Sequence, residues 1–208
     1  SGIINGTTNY ILSRMAKEGV PYKEVLKVAQ DLGYAEADPA ADVEGLDAAD
    51  KIAILSGLAF GGSIDRSEIP TKGITNLEKR DVDYAKELGY VVKLLATAEH
   101  LNSKPEGNNF LPLSLQVQPT LIPLEHPLAG VNGVNNAILI EGDPIGEVMF
   151  YGPGAGSGPT ASAVVADILN IAGIQQVESH TGELDPLLAA CSWRKCSLVK
   201  PDAIIQRN

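Results

Sequence analysis

The sequence predicts an α+β fold: a two-layer domain in which a mixed, largely antiparallel sheet is covered by helices on one face. Three observations lead there. Helix-period apolar patterns fill the first part of the chain, ending with "EKRDVDYAKELG". From Tyr90 onward, strand-like segments follow one another across short turns. A glycine-rich loop then feeds a last helix. Helices grouped first and strands grouped after favour neighbouring strands over alternating βαβ units.

Taken in order, Thr7 or Thr8 is expected to cap a helix running to about Lys17, with Ile11 and Met15 on one face. "PYKEVLKVAQDLG" places Pro21 in a first turn, buries Val25, Leu26 and Ala29, and stops at Gly33. An apolar helix is expected from about Gly45 to Phe60, ended by Gly61 and Gly62. "YVVKLLATAEH" reads as a strand by its β-branched start. "NSKPEGNN", residues 102–109, reads as a hairpin loop. "FLPLSLQVQPTLI" alternates Leu113, Leu115 and Val117 with Ser114, Gln116 and Gln118, as a half-buried strand does. "NAILIEG" and "IGEVMFYG" are two further strands joined by a tight "GDP" turn.

The chain has 208 residues, 44% apolar and 20% charged, as expected of a soluble globular domain with a sizeable core. A net charge of −10 disfavours nucleic acid and anionic membrane surfaces. No apolar run approaches the ~20 residues of a membrane span, and no signal-peptide pattern opens the chain. Cys191 and Cys196 flank "SWRK" without a metal-site spacing, so they read as reduced thiols of a cytoplasmic protein.

The chemistry concentrates in "AEADPAADVEGLDAADK", where six carboxylates and Lys51 occupy seventeen residues, followed by an uncharged run from Ile52 to Ile64. Asp38, before Pro39, suits a turn cap. Asp42 and Glu44 precede the long helix, where its dipole favours negative charge. Asp47 and Lys51 are four apart and share a helix face; on a surface they form an ion pair worth about 0.3–0.5 kcal/mol. After Lys51 only Ser56 is polar, so the helix is expected to enter the core and draw Asp47 and Lys51 to its buried end. A lysine there needs a partner, and burial would tune it towards acid–base work. Asp47 can hold it, while Glu36 or Asp42 can receive a substrate ammonium.

Gly33, Tyr34, Ala35, Asp38-Pro39, Asp42-Val43, Gly45, Asp47 and Lys51 together have the spacing of a homoserine dehydrogenase signature. "GIINGTTNYIL", "HPLAGVNGVNNAI" and "YGPGAGSGPTASAVVAD" resemble three further blocks of that family in order, so the resemblance covers nearly the whole chain. It implies an NAD- or NADP-dependent enzyme interconverting L-homoserine and L-aspartate 4-semialdehyde, in threonine and methionine biosynthesis. It places Lys51 at proton transfer with Asp47 beside it, and Glu36, Asp42 and Asp47 at the substrate amino group. Thr7 and Tyr34 match residues near substrate; by themselves they read as a helix cap and a core aromatic. The residue types fit the chemistry: a hydroxyl losing hydride from its carbon needs a base, and an amino acid's ammonium needs carboxylates.

"GPGAGSGP" is not a dinucleotide fingerprint, because no βαβ unit surrounds it. The resemblance places Gly154 and Ala155 beside the cofactor as neighbours of the nicotinamide. Residues 1–170 are therefore expected to be the catalytic, substrate-binding and dimerisation domain and 171–208 a C-terminal extension. The nucleotide-binding domain is expected to lie outside this chain, leaving it inactive alone. The family also implies a homodimer through the sheet. No metal site is expected: the acid cluster lacks both EF-hand alternation and zinc-site histidines, which disfavours a metal-dependent hydrolase. The alternative reading is a noncatalytic oligomerisation or regulatory module. His126, before Pro127, reads as a turn or interface residue rather than a base.

Overall fold

The computed structural model describes the backbone of residues 1–101, 112–181, 194–195 and 197–198, and side chains as far as residue 173. The hairpin loop expected at 102–109 and both cysteines lie outside the described residues. In chain order the elements are β1 (Gly2–Ile3), α1 (Gly6–Glu18), α2 (Tyr22–Asp31), α3 (Ala40–Val43), α4 (Leu46–Phe60), β2 (Gly62–Ser63) and α5 (Lys79–Glu87). There follow β3 (Tyr90–His100), β4 (Pro112–Pro123), β5 (Asn135–Gly142), β6 (Gly146–Pro153), α6 (Ser157–Thr181), β7 (Arg194–Lys195) and β8 (Ser197–Leu198).

The main sheet has the order β6-β5-β1-β3-β4-β8. Its five neighbouring strands from β6 to β4 pair antiparallel, and β8 adds a short parallel edge, so the sheet is mixed and largely antiparallel. β3 and β4 form its backbone, in register from Tyr90 opposite Pro123 to His100 opposite Leu113. One core cluster joins Ile11, Leu12 and Met15 of α1, Ala48 and Ile52 of α4 and Val82 of α5 to Val92, Leu94, Leu115 and Val117 of the sheet. This is the helical layer. A smaller cluster on Ile3, Leu95, Ala137 and Leu139 is covered by Leu128, Ala129 and Val131 around a 3-10 turn at Pro127–Gly130. His126 starts that turn, its Nδ1 accepting from the Leu128 N–H at 3.1 Å, as expected of a turn residue.

Local capping follows side-chain chemistry. α1 is capped by Asn5, whose Oδ1 accepts from the Thr8 N–H at 2.8 Å, rather than by Thr7 or Thr8. The amide of asparagine satisfies an orphan helix N–H as well as a threonine hydroxyl does, and it keeps a second group free. Asp38 accepts from the Ala40 N–H at 3.1 Å, the turn-capping role expected of it. Glu78 and Asp81 form a capping box on α5. α2 buries Val25 and Ala29, with Leu26 half-buried.

α4 departs from expectation. Ile52, Ser56 and Gly57 face the core, but Ile54 and Leu58 are exposed, so the helix lies across the sheet instead of diving into the core. A uniformly apolar helix carries no record of which stripe is inside, and here the outer stripe is apolar too. Among the described residues no helix is long and apolar enough to cross a membrane.

Candidate active site

The short β1 delivers the chain to the sheet's middle and turns it at once into α1. This puts the first turn of α1 beside the first turn of α4. Between them lies a cavity of about 360 Å³ lined by Asn5, Gly6, Thr7, Gly33, Tyr34, Asp42, Asp47 and Lys51 on one side and by Val134, Asn136 and Gly154–Gly156 on the other. An adjoining, more apolar cavity of about 460 Å³ shares Lys51, Asn136 and Gly154 and extends to Ile54, Phe150 and Tyr151.

The polar side is an ordered chain of contacts. Lys51 Nζ donates to Asp47 Oδ2 at 2.7 Å and to the Ile4 carbonyl at 3.3 Å. Asn5 Nδ2 donates both to Asp47 Oδ2 at 2.9 Å and to Asp42 Oδ1 at 2.6 Å. One neutral amide thus bridges two carboxylates that would otherwise repel, and the amide is itself fixed because its oxygen caps α1. Asp47 sits in the first turn of α4, where the helix dipole favours its charge. The Lys51 and Asp47 side chains keep 46% and 30% of their exposure, so the amine reaches the cavity from a half-open position, not from the buried helix end expected of it.

α2 closes the cavity's rim. Gly33 adopts a left-handed φ of 75°, a conformation that favours glycine, and this turns the chain so that the Tyr34 carbonyl accepts from Thr7 Oγ1 at 2.7 Å. Thr7 is therefore a rim link, and Tyr34 is exposed, its ring edge-on to Tyr10 at 5.0 Å. Glu36, two residues further on, is exposed and does not line the cavity. Of the residues singled out in the sequence, Thr7, Tyr34, Asp42, Asp47, Lys51, Gly154 and Ala155 are brought together and Glu36 stands outside.

Two residues were not singled out as site residues in the sequence. Asn5 lies within the quoted "GIINGTTNYIL", where it reads only as part of a motif. Asn136 lines both cavities, and its Oδ1 is sheltered from solvent with no hydrogen-bond partner. A third polar residue lies behind the site. Lys93 of β3 is fully buried, and burial pulls its ammonium down from 10.5 to about 8. A lone lysine inside the apolar "YVVKLLATAEH" was the available signal.

A family model described as homoserine dehydrogenase matches residues 1–169. A protein named homoserine dehydrogenase from Synechocystis sp. is 53% identical over 206 residues, 99% of this chain and 47% of its own length. The crystal structure of a homoserine dehydrogenase from Thiobacillus denitrificans superposes with a TM-score of 0.84 at 43% identity, covering 96% of this chain and 44% of that one. A hyperthermophilic archaeal homoserine dehydrogenase mutant, solved in complex with NADPH, matches at a TM-score of 0.62 and 30% identity, over 81% of this chain and 45% of that one. The chain therefore spans under half the length of these relatives.

Proposed function

The chain belongs to the homoserine dehydrogenase family, and from that premise we propose that it forms the substrate-binding and proton-transfer part of an NAD(P)-dependent enzyme acting on L-homoserine and L-aspartate 4-semialdehyde, in threonine and methionine biosynthesis. The observation that carries this reading is the Lys51–Asp47–Asn5–Asp42 chain along one wall of a cavity sized for a small amino acid. Carboxylates suit the ammonium of such a substrate, and the Lys51 amine suits its reacting oxygen.

In this reading Asp42 and Asp47 receive the substrate ammonium. In the reductive direction Lys51, as an ammonium, gives its proton to the oxygen that develops on the aldehyde carbon. In the oxidative direction its amine takes the proton of the hydroxyl, and Asp47 and the Ile4 carbonyl hold the resulting charge. Thr7 and Tyr34 shape the rim. Glu36 acts at the mouth, meeting the ammonium on entry, since its carboxylate lies off the cavity wall. Hydride exchange at the substrate carbon is the chemistry that a nicotinamide would supply there. Gly154 and Ala155, which line the cavity beside Asn136, would lie at its edge.

The described residues form no βαβ unit around a glycine loop, so we assign binding of the rest of the dinucleotide to residues outside this chain. The family match to residues 1–169 supports a unit reaching about residue 170 with 171–208 following it, and α6, Ser157–Thr181, runs across that point. We also propose a homodimer through the sheet, supported by the exposed Met149 and Tyr151, which share one face of edge strand β6. A single species of monomer mass in light scattering would remove the dimer.

The deciding experiment is a titration of the chain with L-homoserine followed by amide NMR. Shifts at Thr7, Asp42, Asp47 and Asn136, lost in D47N, are expected. No saturable shift there would favour a noncatalytic oligomerisation or regulatory module instead. Sustained NADH or NADPH formation from homoserine by the chain alone would refute the assignment of dinucleotide binding to other residues.

A further inference from the structure

We propose that Lys93 is a positioning residue that sets the width of the substrate cavity by locking residues 131–136 against α1. The inference rests on the cavity being the homoserine site, and it assigns a task to a buried group that the chemistry at Lys51 leaves unused.

Residues 131–136, "VNGVNN", form the far wall of the cavity through Val134 and Asn136. They have no secondary structure until β5 begins at Asn135, so something other than a ladder must hold them. Lys93 does so from below. Its Nζ donates to the Val131 carbonyl at 2.5 Å, to Asn132 Oδ1 at 3.0 Å and to Asn9 Oδ1 at 3.1 Å. These three acceptors match the three N–H groups of an ammonium, and all are uncharged.

The Asn9 contact carries the clamp to α1. With its oxygen committed to Lys93, the Asn9 amide has one orientation, and its Nδ2 then donates to the Asn135 carbonyl at 2.9 Å. Without Lys93 the amide could turn over and release Asn135, the residue next to Asn136. Ser13 of α1 completes the lock, receiving the Gly133 N–H at 3.2 Å and donating to Asn132 Oδ1 at 3.4 Å. The lock is tight at the cavity's edge, where a Cβ on Gly6 would stand 2.8 Å from the Val134 carbonyl. Lys51, Asp47 and Asn5 make none of these contacts. Losing the clamp should therefore loosen one wall of the binding site while leaving the proton-transfer wall in place.

The test is K93M in the full-length protein that carries this chain, since methionine keeps most of the volume and removes the three donors. The expected result is a KM for homoserine raised about tenfold with kcat within about threefold, a split that general destabilisation does not produce. K93Q, which retains two donors, should recover part of the KM. Faster hydrogen exchange at the amides of Val134 and Asn136 is expected in K93M whatever the substrate, so the clamp can be judged even if homoserine proves not to be the ligand. Unchanged exchange, or a fall in kcat at wild-type KM, overturns the proposal. If K93M does not fold, N132A at the exposed end of the clamp decides: a raised KM supports it and a wild-type KM overturns it.

Discussion

Gly154 lies against Asn136 so closely that a Cβ at position 154 would stand 1.9 Å from the Asn136 amide nitrogen. No rotation of the glycine-rich loop alone relieves such an overlap, since the Asn136 side-chain carbonyl carbon would also be 2.6 Å away. G154A is expected to lose about 1–3 kcal/mol of stability through overpacking, together with most activity. The double variant G154A/N136A should regain the stability and not the activity. Thermal melts of the four members of the cycle check this, and additive losses would show that the two positions do not compete for one volume.

Asn5 separates two roles that one substitution can split. N5A removes both the α1 cap and the donor between Asp42 and Asp47, and the cap alone is worth about 1 kcal/mol. N5D keeps a cap acceptor but puts a third carboxylate between the other two. Crowded like charges raise the folded-state carboxyl affinity for protons above its unfolded value. Stability from that proton is therefore present at low pH and lost as pH rises. N5D is expected to melt close to wild type near pH 5 and well below it near pH 8, while N5A, which leaves two unbridged carboxylates where N5D has three, shows a shallower fall over the same range. Parallel melting profiles for the two variants would count against the charge argument.

Lys51, the proton-transfer group of the proposed reaction, contributes little to stability. Its pair with Asp47 is half exposed and spaced i, i+4, a geometry worth under about 1 kcal/mol. K51M should therefore shift the melting temperature by no more than about 4 °C. Loss of a proton-transfer group costs about 10²–10⁴ in kcat, and that is the expected effect in the full-length enzyme. Wild-type turnover by K51M would remove Lys51 from the reaction.

The order of the longer elements was legible because the periodicities were local: alternation in residues 112–123, the 3.6-residue repeat around Val25 and Ala29, and the glycines that stop helices; β1 was not, because two residues carry no period. The Asp47–Lys51 pair was legible for the same reason, four residues on one helix. The burial of α4 was not, because Ile54 and Leu58 differ from Ile52 only in which side the sheet lies. Asn5 and Asn136 were not, because their roles depend on partners 37 and 18 residues away in the chain. Asparagine also carries no charge to mark it. Glu36 was singled out with its acidic neighbours, yet the turn at Gly33 that brings Tyr34 to Thr7 leaves the Glu36 carboxylate off the cavity wall.

Lys93 yields the last prediction, on pH and stability. Its folded-state value is depressed by burial from 10.5 to about 8, and its three partners are neutral. Between these values the unfolded chain keeps a proton that the native state has released, so unfolding becomes harder as pH rises. The contribution is greatest above 10.5 and is lost as pH falls through about 8, where the whole cost of burying the charge is felt. At ~1.4 kcal/mol per pH unit this window is worth about 3 kcal/mol. Other groups titrate in the same range, tyrosines among them, so the informative quantity is the difference from K93M. Urea unfolding at intervals from pH 7.5 to 10.5 should show wild type gaining on K93M by up to that amount, because the variant has no amine to release a proton. A gap that stays constant with pH would mean that Lys93 is not destabilised by its burial, and that its three hydrogen bonds hold the ammonium as well as water does.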